Sequence, residues 1–364
     1  MRKCFLVVSF CVGIAALCAQ QKFDSPNLEI NKRIELASIV FRLAGFEGFT
    51  DHINPVYSKA IDDYFEKYKQ HELLRYLIAF KDSLDKNNIG YGYWSALALA
   101  VHLDESSLNP VIATDDTSNV DGWEDRTFFT AKIVSLLKQF YKDTDCNRFF
   151  KSQEKYYTRV LSECSKRIPK MKTKLINSFF GIKRSENYYP ILCLGVRNGG
   201  YARVNFPDNK RNTFTFFECK KFDSEGIPET DVNYISRMML HEYIHCFTNQ
   251  LVDSYLEELK PFAEAVLTKP AVAEKVKNTF YDNSPYLLYE SLVRAFSIYY
   301  MNKSGNFNTS TDKEIDVQEA AGFLWIRELV RLMEEYGRNR KNYTDSKELM
   351  PAIVSYFRKV SNNL

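Results

Sequence analysis

Residues 235–251 read ISRMMLHEYIHCFTNQL, and the organisation of the chain follows from treating them as one helix. Two of the five histidines, His241 and His245, stand four positions apart with Glu242 directly after the first. At about 100° per residue, positions i and i+4 lie about 40° apart, so both imidazoles face the same way. Leu240, Ile244, Phe247 and Leu251 form an apolar face roughly 90–140° from the histidines. One side is thus suited to burial and another to chemistry. Pro228 and Asp231 mark the start, with Asp231 as the expected cap.

Upstream, the texture changes near Tyr188. PILCLGV (190–196) is an apolar run of strand length, and Arg197-Asn198-Gly199-Gly200 offers residues that tolerate positive φ, a hairpin signal. YARVNF (201–206) alternates, and TFTFFEC (213–219) reads as a third strand after a turn at Pro207, Asp208 and Asn209. Earlier still, helical stripes cover 31–45, 56–68, 71–84, 93–103, 127–142 and 147–167, with a polar loop over about 104–125. After Asp231 the pattern is helical almost to the end. The expectation is an α+β fold, mainly helical, with a small antiparallel sheet preceding the HEYIH helix. A leader over 1–19, a helical region over 20–175 and a second region over 176–364 are expected, with a soft boundary that one continuous domain could span.

Arg2 and Lys3 precede the apolar run FLVVSFCVGIAAL, about the length of a signal-peptide core and too short for a membrane span. Cleavage after Ala19 is expected, and Leu17 before Cys18 disfavours lipidation there. The protein is therefore read as exported, periplasmic or secreted. Losing the leader takes the net charge from +3 to +1, which gives no reason to propose a nucleic-acid partner. No later apolar stretch approaches a membrane span. Cys146, Cys164, Cys193, Cys219 and Cys246 contain no C-x-x-C pair, so a cysteine-based zinc ribbon is not expected. Cys193 and Cys219 could pair or be small buried residues.

Zinc takes neutral imidazole nitrogen and favours a tetrahedral shell, which His241 and His245 can begin. Glu242, turned about 100° from His241, reaches water on the metal's open side instead; this division of labour is why H-E-x-x-H recurs in metallopeptidases. Thr248 and Leu251 stand where a metzincin needs Gly and His, so that subclass is excluded. A carboxylate from a later helix would complete the set. NSPYLLYESLVRAFSIYY (283–300) carries Glu290 among apolar residues, where a buried charge needs compensation. Ser284 is the expected cap, with Pro285 in the first turn. Arg294, four residues on, pairs with Glu290 or orients it. Glu257, Glu258 and Glu264 are rivals, on an amphipathic run. Cys246 points about 100° from His245 and is a poor fourth ligand. His52, His71 and His102 read as ordinary.

HEYIH with the downstream YESLVRA resembles the gluzincin class of zinc metallopeptidases. Over most of its length the chain, including RIELASIVFRLAG, is similar to a family of exported bacterial proteins catalogued as a domain of unknown function and regarded as metallopeptidase candidates. The resemblance implies Zn2+ on His241, His245 and Glu290, with Glu242 as the catalytic base in hydrolysis of a peptide or protein substrate. Tyr286, Tyr289, Tyr299 and Arg294 are candidate donors to the developing oxyanion. YARVNF or TFTFFEC could offer a strand edge to an extended substrate, and Arg203 is expected to face solvent. The competing expectation is a noncatalytic binding module on the same scaffold, in which a structural zinc would have a fourth protein ligand.

Overall fold

The computed structural model describes residues 27–51, 54–87, 93–116, 126–168, 171–181, 186–197, 199–205, 211–229, 232–277, 279 and 281–363. The expected leader with Cys18, His52, the Pro207–Asn209 turn, the Asp231 cap and the later part of the polar loop lie outside them. Among the described residues, helices come first: α1 (Lys32–Leu43), α2 (Pro55–Phe65), α3 (Glu72–Lys86), α4 (Tyr93–Val101), α5 (Ala131–Asp143), α6 (Cys146–Arg167) and α7 (Thr173–Phe180). Strands β1 (Glu186–Cys193), β2 (Gly200–Asn205) and β3 (Arg211–Glu218) follow. The chain then continues as α8 (Val232–Asp253), α9 (Leu256–Leu267), α10 (Pro270–Val276), α11 (Ser284–Ser304), α12 (Thr311–Ala320), α13 (Ile326–Arg338) and α14 (Met350–Asn363). The fold is α+β and mainly helical, as expected.

Capping chemistry sets several ends. The Asn54 side chain accepts from the Tyr57 amide at the start of α2, and Thr130 accepts from Ile133 at the start of α5. α11 is capped by Asn283, which accepts from the Tyr286 amide, so the expected cap Ser284 is the first helical residue instead. Pro285 sits in the first turn, and Gly305 closes the helix at φ +63°, a left-handed position that suits glycine.

The sheet corrects one expectation. It is mixed, not antiparallel: the order is β1-β3-β2, with β1 parallel and β2 antiparallel to β3. The segment after β1 does reverse the chain, but it leaves a gap about two strand spacings wide, roughly 10 Å, which β3 fills. A turn signal in the sequence specifies reversal and says nothing of whether the two strands touch. TFTFFEC is therefore the central strand and has no free edge. The outer edge of β1 is met by Glu29, whose amide donates to the Pro190 carbonyl at 3.1 Å and whose carbonyl accepts from Leu192 at 2.9 Å.

Both faces of the sheet are covered. Ala202, Val204, Phe214 and Phe216 join the apolar cluster of α1–α6. Tyr188 and Thr215 turn to α8: their hydroxyls are 2.8 Å apart, and the Tyr188 ring lies 4.2 Å from that of Tyr243. Arg203 is on this second face and is buried rather than solvated; Nε donates to Thr213 Oγ1 at 3.4 Å and the guanidinium lies 5.7 Å from the Phe247 ring. Its register opposite Thr213 puts it under α8, so alternation along the strand leads to a helix and not to water.

A second apolar cluster gathers α7 with α9, α10, α11, α13 and α14. α8 lies between the two clusters. Ile235 and Met239 belong to the first, whereas Leu240, Ile244, Phe247 and Leu251 belong to the second, as the expected apolar face required. Helix α7 had no place in the sequence reading, because eight residues give too few turns for a periodic signal. Phe179 anchors it, with its ring 4.7 Å from Phe296 and 4.9 Å from Tyr336. All five cysteines described are buried free thiols; Cys219 does not pair with Cys193, and its thiol lies instead against that of Cys164.

Glu35 on α1 is fully buried, and Oε1 accepts from the Leu194 amide at 3.2 Å. Burial pushes its pKa up to about 7 from 4.5. A carboxyl whose folded pKa is raised binds its proton more tightly in the native state, so stability falls as pH rises through the window from 4.5 to about 7. His102 titrates with the opposite sign, since burial holds its pKa down to about 4. The informative quantity is therefore the difference between wild type and Glu35→Gln. In urea unfolding the variant is expected to match wild type at low pH and exceed it by about 3 kcal/mol above neutrality. Parallel pH profiles would refute this account of Glu35.

Candidate metal centre

The site forms where α8 packs against α11. His241 Nε2 and His245 Nε2 lie 3.1 Å apart. Glu290 Oε1, from α11, is 3.5 Å from the first and 3.3 Å from the second. Donors held 2.0–2.1 Å from a tetrahedral zinc stand about 3.3 Å from one another. The three atoms thus sit at the mutual spacing of ligands sharing one ion, and the donor set of two imidazoles and a carboxylate suits zinc. Among the described residues this is the group of His, Cys, Asp or Glu that converges in this way. Glu257, Glu258 and Glu264 are exposed on α9 and take no part. Cys246 is buried, its thiol turned to the Glu242 carbonyl at 3.9 Å.

Two of the three converging side chains are held by neighbours. His245 Nδ1 meets Asn249 Oδ1 at 3.1 Å, which fixes the ring with Nε2 towards the triad. Asn249 Nδ2 in turn donates to the Tyr201 hydroxyl at 3.1 Å, and the Tyr201 ring stacks on His245 at 5.6 Å. Thus β2 supports a histidine of α8. Glu290 Oε2 accepts from Arg294 Nε at 3.0 Å, while Arg294 Nη1 donates to Gln318 of α12 at 2.5 Å. The guanidinium lies 4.5 Å from the Phe323 ring and 5.1 Å from that of Tyr281, two rings that also touch each other.

The electrostatics follow from burial and from these pairings. Burial works against the Glu290 carboxylate, but His241, His245 and Arg294 outweigh it and hold its pKa well below the usual range. Burial also opposes charge on His245, yet Glu290, Glu242 and Asn249 together raise its pKa. Glu242 is raised by burial, an effect that the two histidines oppose and Glu290 reinforces. A buried carboxyl of raised pKa beside three converging donors is suited to taking and returning a proton.

A cleft of about 830 Å³ opens over the triad. His241, Glu242, His245, Glu290, Arg294 and Tyr286, all candidates from the sequence, line it. Two expectations are corrected. The Tyr289 hydroxyl donates to Asp253 on the exterior, and Tyr299 packs on Phe179 and Phe296. Neither lines the cleft. Helical spacing explains this: at i−1 and i+9 from Glu290 both point away from its face. Gly199 comes close to Glu242. A Cβ there would stand 2.7 Å from Met238 Cε and 2.9 Å from the Phe216 carbonyl, with Glu242 Oε1 at 3.6 Å. The absence of a side chain lets the residue before β2 lie against the Phe216 carbonyl, which leaves it in ordinary contact range of the Glu242 carboxyl.

Asn249 was missed, although its position four residues after His245 is a readable signal; Tyr201 and Tyr281 reach the site through the fold alone. His71 caps α3 through Nδ1, and His102 bonds the Ala98 carbonyl, so both are structural. Asn249→Ala leaves the ligands in place but frees the His245 ring, and is expected to weaken zinc binding about 10–100-fold by competition titration. Unchanged affinity would mean the amide does not orient the imidazole.

The sequence profile of one family matches residues 27–356. The chain belongs to the family described as Domain of unknown function (DUF4932). The match spans the first apolar cluster, the second as far as residue 356, and every residue of the triad. No curated protein and no solved structure matches the chain.

Proposed function

We propose that the protein is a zinc-dependent peptidase of gluzincin type, with His241, His245 and Glu290 as ligands and Glu242 as general base. The observation that carries this reading is the spacing of the three donor atoms, 3.1–3.5 Å, on two separate helices. An ion–pair network alone would not need two imidazole Nε2 atoms turned to the same point. A divalent ion there supplies Lewis acidity, which acidifies water and offsets charge growing on a substrate carbonyl. Glu242 takes the water's proton and passes it to the leaving nitrogen. Asn249 and Arg294 hold two of the ligands in place. Tyr286 is the hydroxyl we assign to the carbonyl oxygen, since it lines the cleft. β2 is an edge strand of the sheet and begins at the cleft wall, where Gly200 and the preceding Gly199 line it, which supports an extended peptide as substrate.

The test is metal analysis of the purified protein together with cleavage of a peptide library. About one zinc per chain and cleavage that a chelator stops and added zinc restores are expected. Zinc retained at that stoichiometry with no peptide cleaved would favour the noncatalytic binding module.

A further inference from the structure

Away from the triad, the cleft holds donors that the protein itself does not use. Ser297 is buried and its hydroxyl has no hydrogen-bond partner. This is unlike its neighbours on α11: Ser291 donates to the Leu287 carbonyl at 2.6 Å and Ser304 to Met301 at 3.2 Å. Arg237 donates through Nη2 to Glu314 of α12 at 2.5 Å, while its buried Nε has no acceptor. Lys220 stands at the rim over the Tyr234 ring at 4.2 Å and forms no ion pair among the described residues. All three line the same cleft as the triad. Leaving a buried donor unpaired is destabilising, and two such donors on facing helices lining one cleft call for an acceptor there.

The charge balance says which kind. A divalent ion would offset Glu242 and Glu290. The remaining lining residues then carry three cations, Lys220, Arg237 and Arg294, against two anions, Asp282 and Glu314. The balance therefore favours an anionic acceptor. Its place follows from the helices. Arg237 is four residues before His241 and Ser297 seven after Glu290, about 6 and 10 Å along their axes. An extended peptide advances about 3.3 Å per residue, so the acceptor belongs two or three residues from the bond at the metal.

We propose that Arg237, Ser297 and Lys220 form a subsite for a carboxylate of the substrate, and that this subsite sets the preference of the enzyme for acidic peptides. The proposal rests on the peptidase reading for its position in the substrate but not for the binding itself. The carboxylate can come from an acidic side chain or from the chain end, and the two are separable by experiment.

The test uses the full chain carrying Glu242→Gln, with and without zinc, and fluorescent peptides that differ only in Glu against Gln or in a free against an amidated terminus. Anisotropy titrations are expected to show about tenfold tighter binding of the acidic member of one of these pairs, as for a charge-assisted hydrogen bond retained in one peptide and lost in the other. The Glu–Gln pair reports a side-chain carboxylate, and the free–amidated pair reports the chain end. Arg237→Met and Ser297→Ala should each reduce the ratio to below about threefold by removing one donor. Ser297→Ala is the safer of the two, because Arg237→Met also strips Glu314 of its ion-pair partner and leaves it, among the described residues, only the Thr309 hydroxyl. Equal affinity within both pairs overturns the subsite, as does a preference that both substitutions leave intact. A preference that depends on Arg237 and Ser297 in a protein whose wild type cleaves nothing keeps the subsite and removes the peptidase.

Discussion

Glu242→Gln is expected to lower the cleavage rate by roughly a hundredfold to ten-thousandfold, the range seen when a positioned general base is lost. The substitution keeps the shape of the side chain and removes its basicity. Its zinc content should match wild type, since Glu242 is not one of the three converging donors. With the metal removed by a chelator, its thermal stability should be no lower than that of wild type treated in the same way, because burial raises the pKa of Glu242 and an uncharged amide avoids the cost of an ionised carboxyl there. The result to seek is therefore a folded, metallated protein with a rate defect in single-turnover assays. If the variant kept more than about a tenth of the wild-type rate, Glu242 would not be the base. If it lost zinc as well, the rate defect would be secondary, and Glu242 would belong to the binding of the ion.

The central helix was legible because three independent patterns agreed on it. The pair His241 and His245 shares a face, Glu242 stands to one side, and Leu240, Ile244, Phe247 and Leu251 form the buried stripe. Glu290 could be found because an acid inside the apolar run of α11 demanded a partner; the distances to both imidazoles meet that demand. What could not be read was anything set by contacts distant in sequence. Arg203 alternates like an outward residue, and only the packing of α8 over β2 makes it inward. The hairpin signal before β2 could not report that β3 would insert beside β1. Arg237 and Ser297 carry no motif, and their interest lies in partners they lack.

Glu290→Ala should have the largest effect on metal binding, and it separates a built metal site from a hydrogen-bonded cluster. The Glu290 carboxylate is shared between two imidazoles and Arg294, which neutralises its outer oxygen. Removing it leaves the ligand set with two nitrogens and leaves Arg294 on α11 without its carboxylate, 2.9 Å away in the native site. Zinc affinity is expected to fall by more than the 10–100-fold typical of losing a supporting residue such as Asn249. The comparison between the two variants is the informative one, because both disturb hydrogen bonds to the histidines but only one deletes a ligand. Zinc should also raise the melting temperature of the wild type, since an ion that binds only the native state stabilises it by mass action. That rise should be lost in Glu290→Ala at zinc concentrations that saturate the wild type. A variant that still bound zinc as tightly as wild type would make Glu290 a structural acid beside a two-histidine site, and the base assigned to Glu242 would then have no ion to work with.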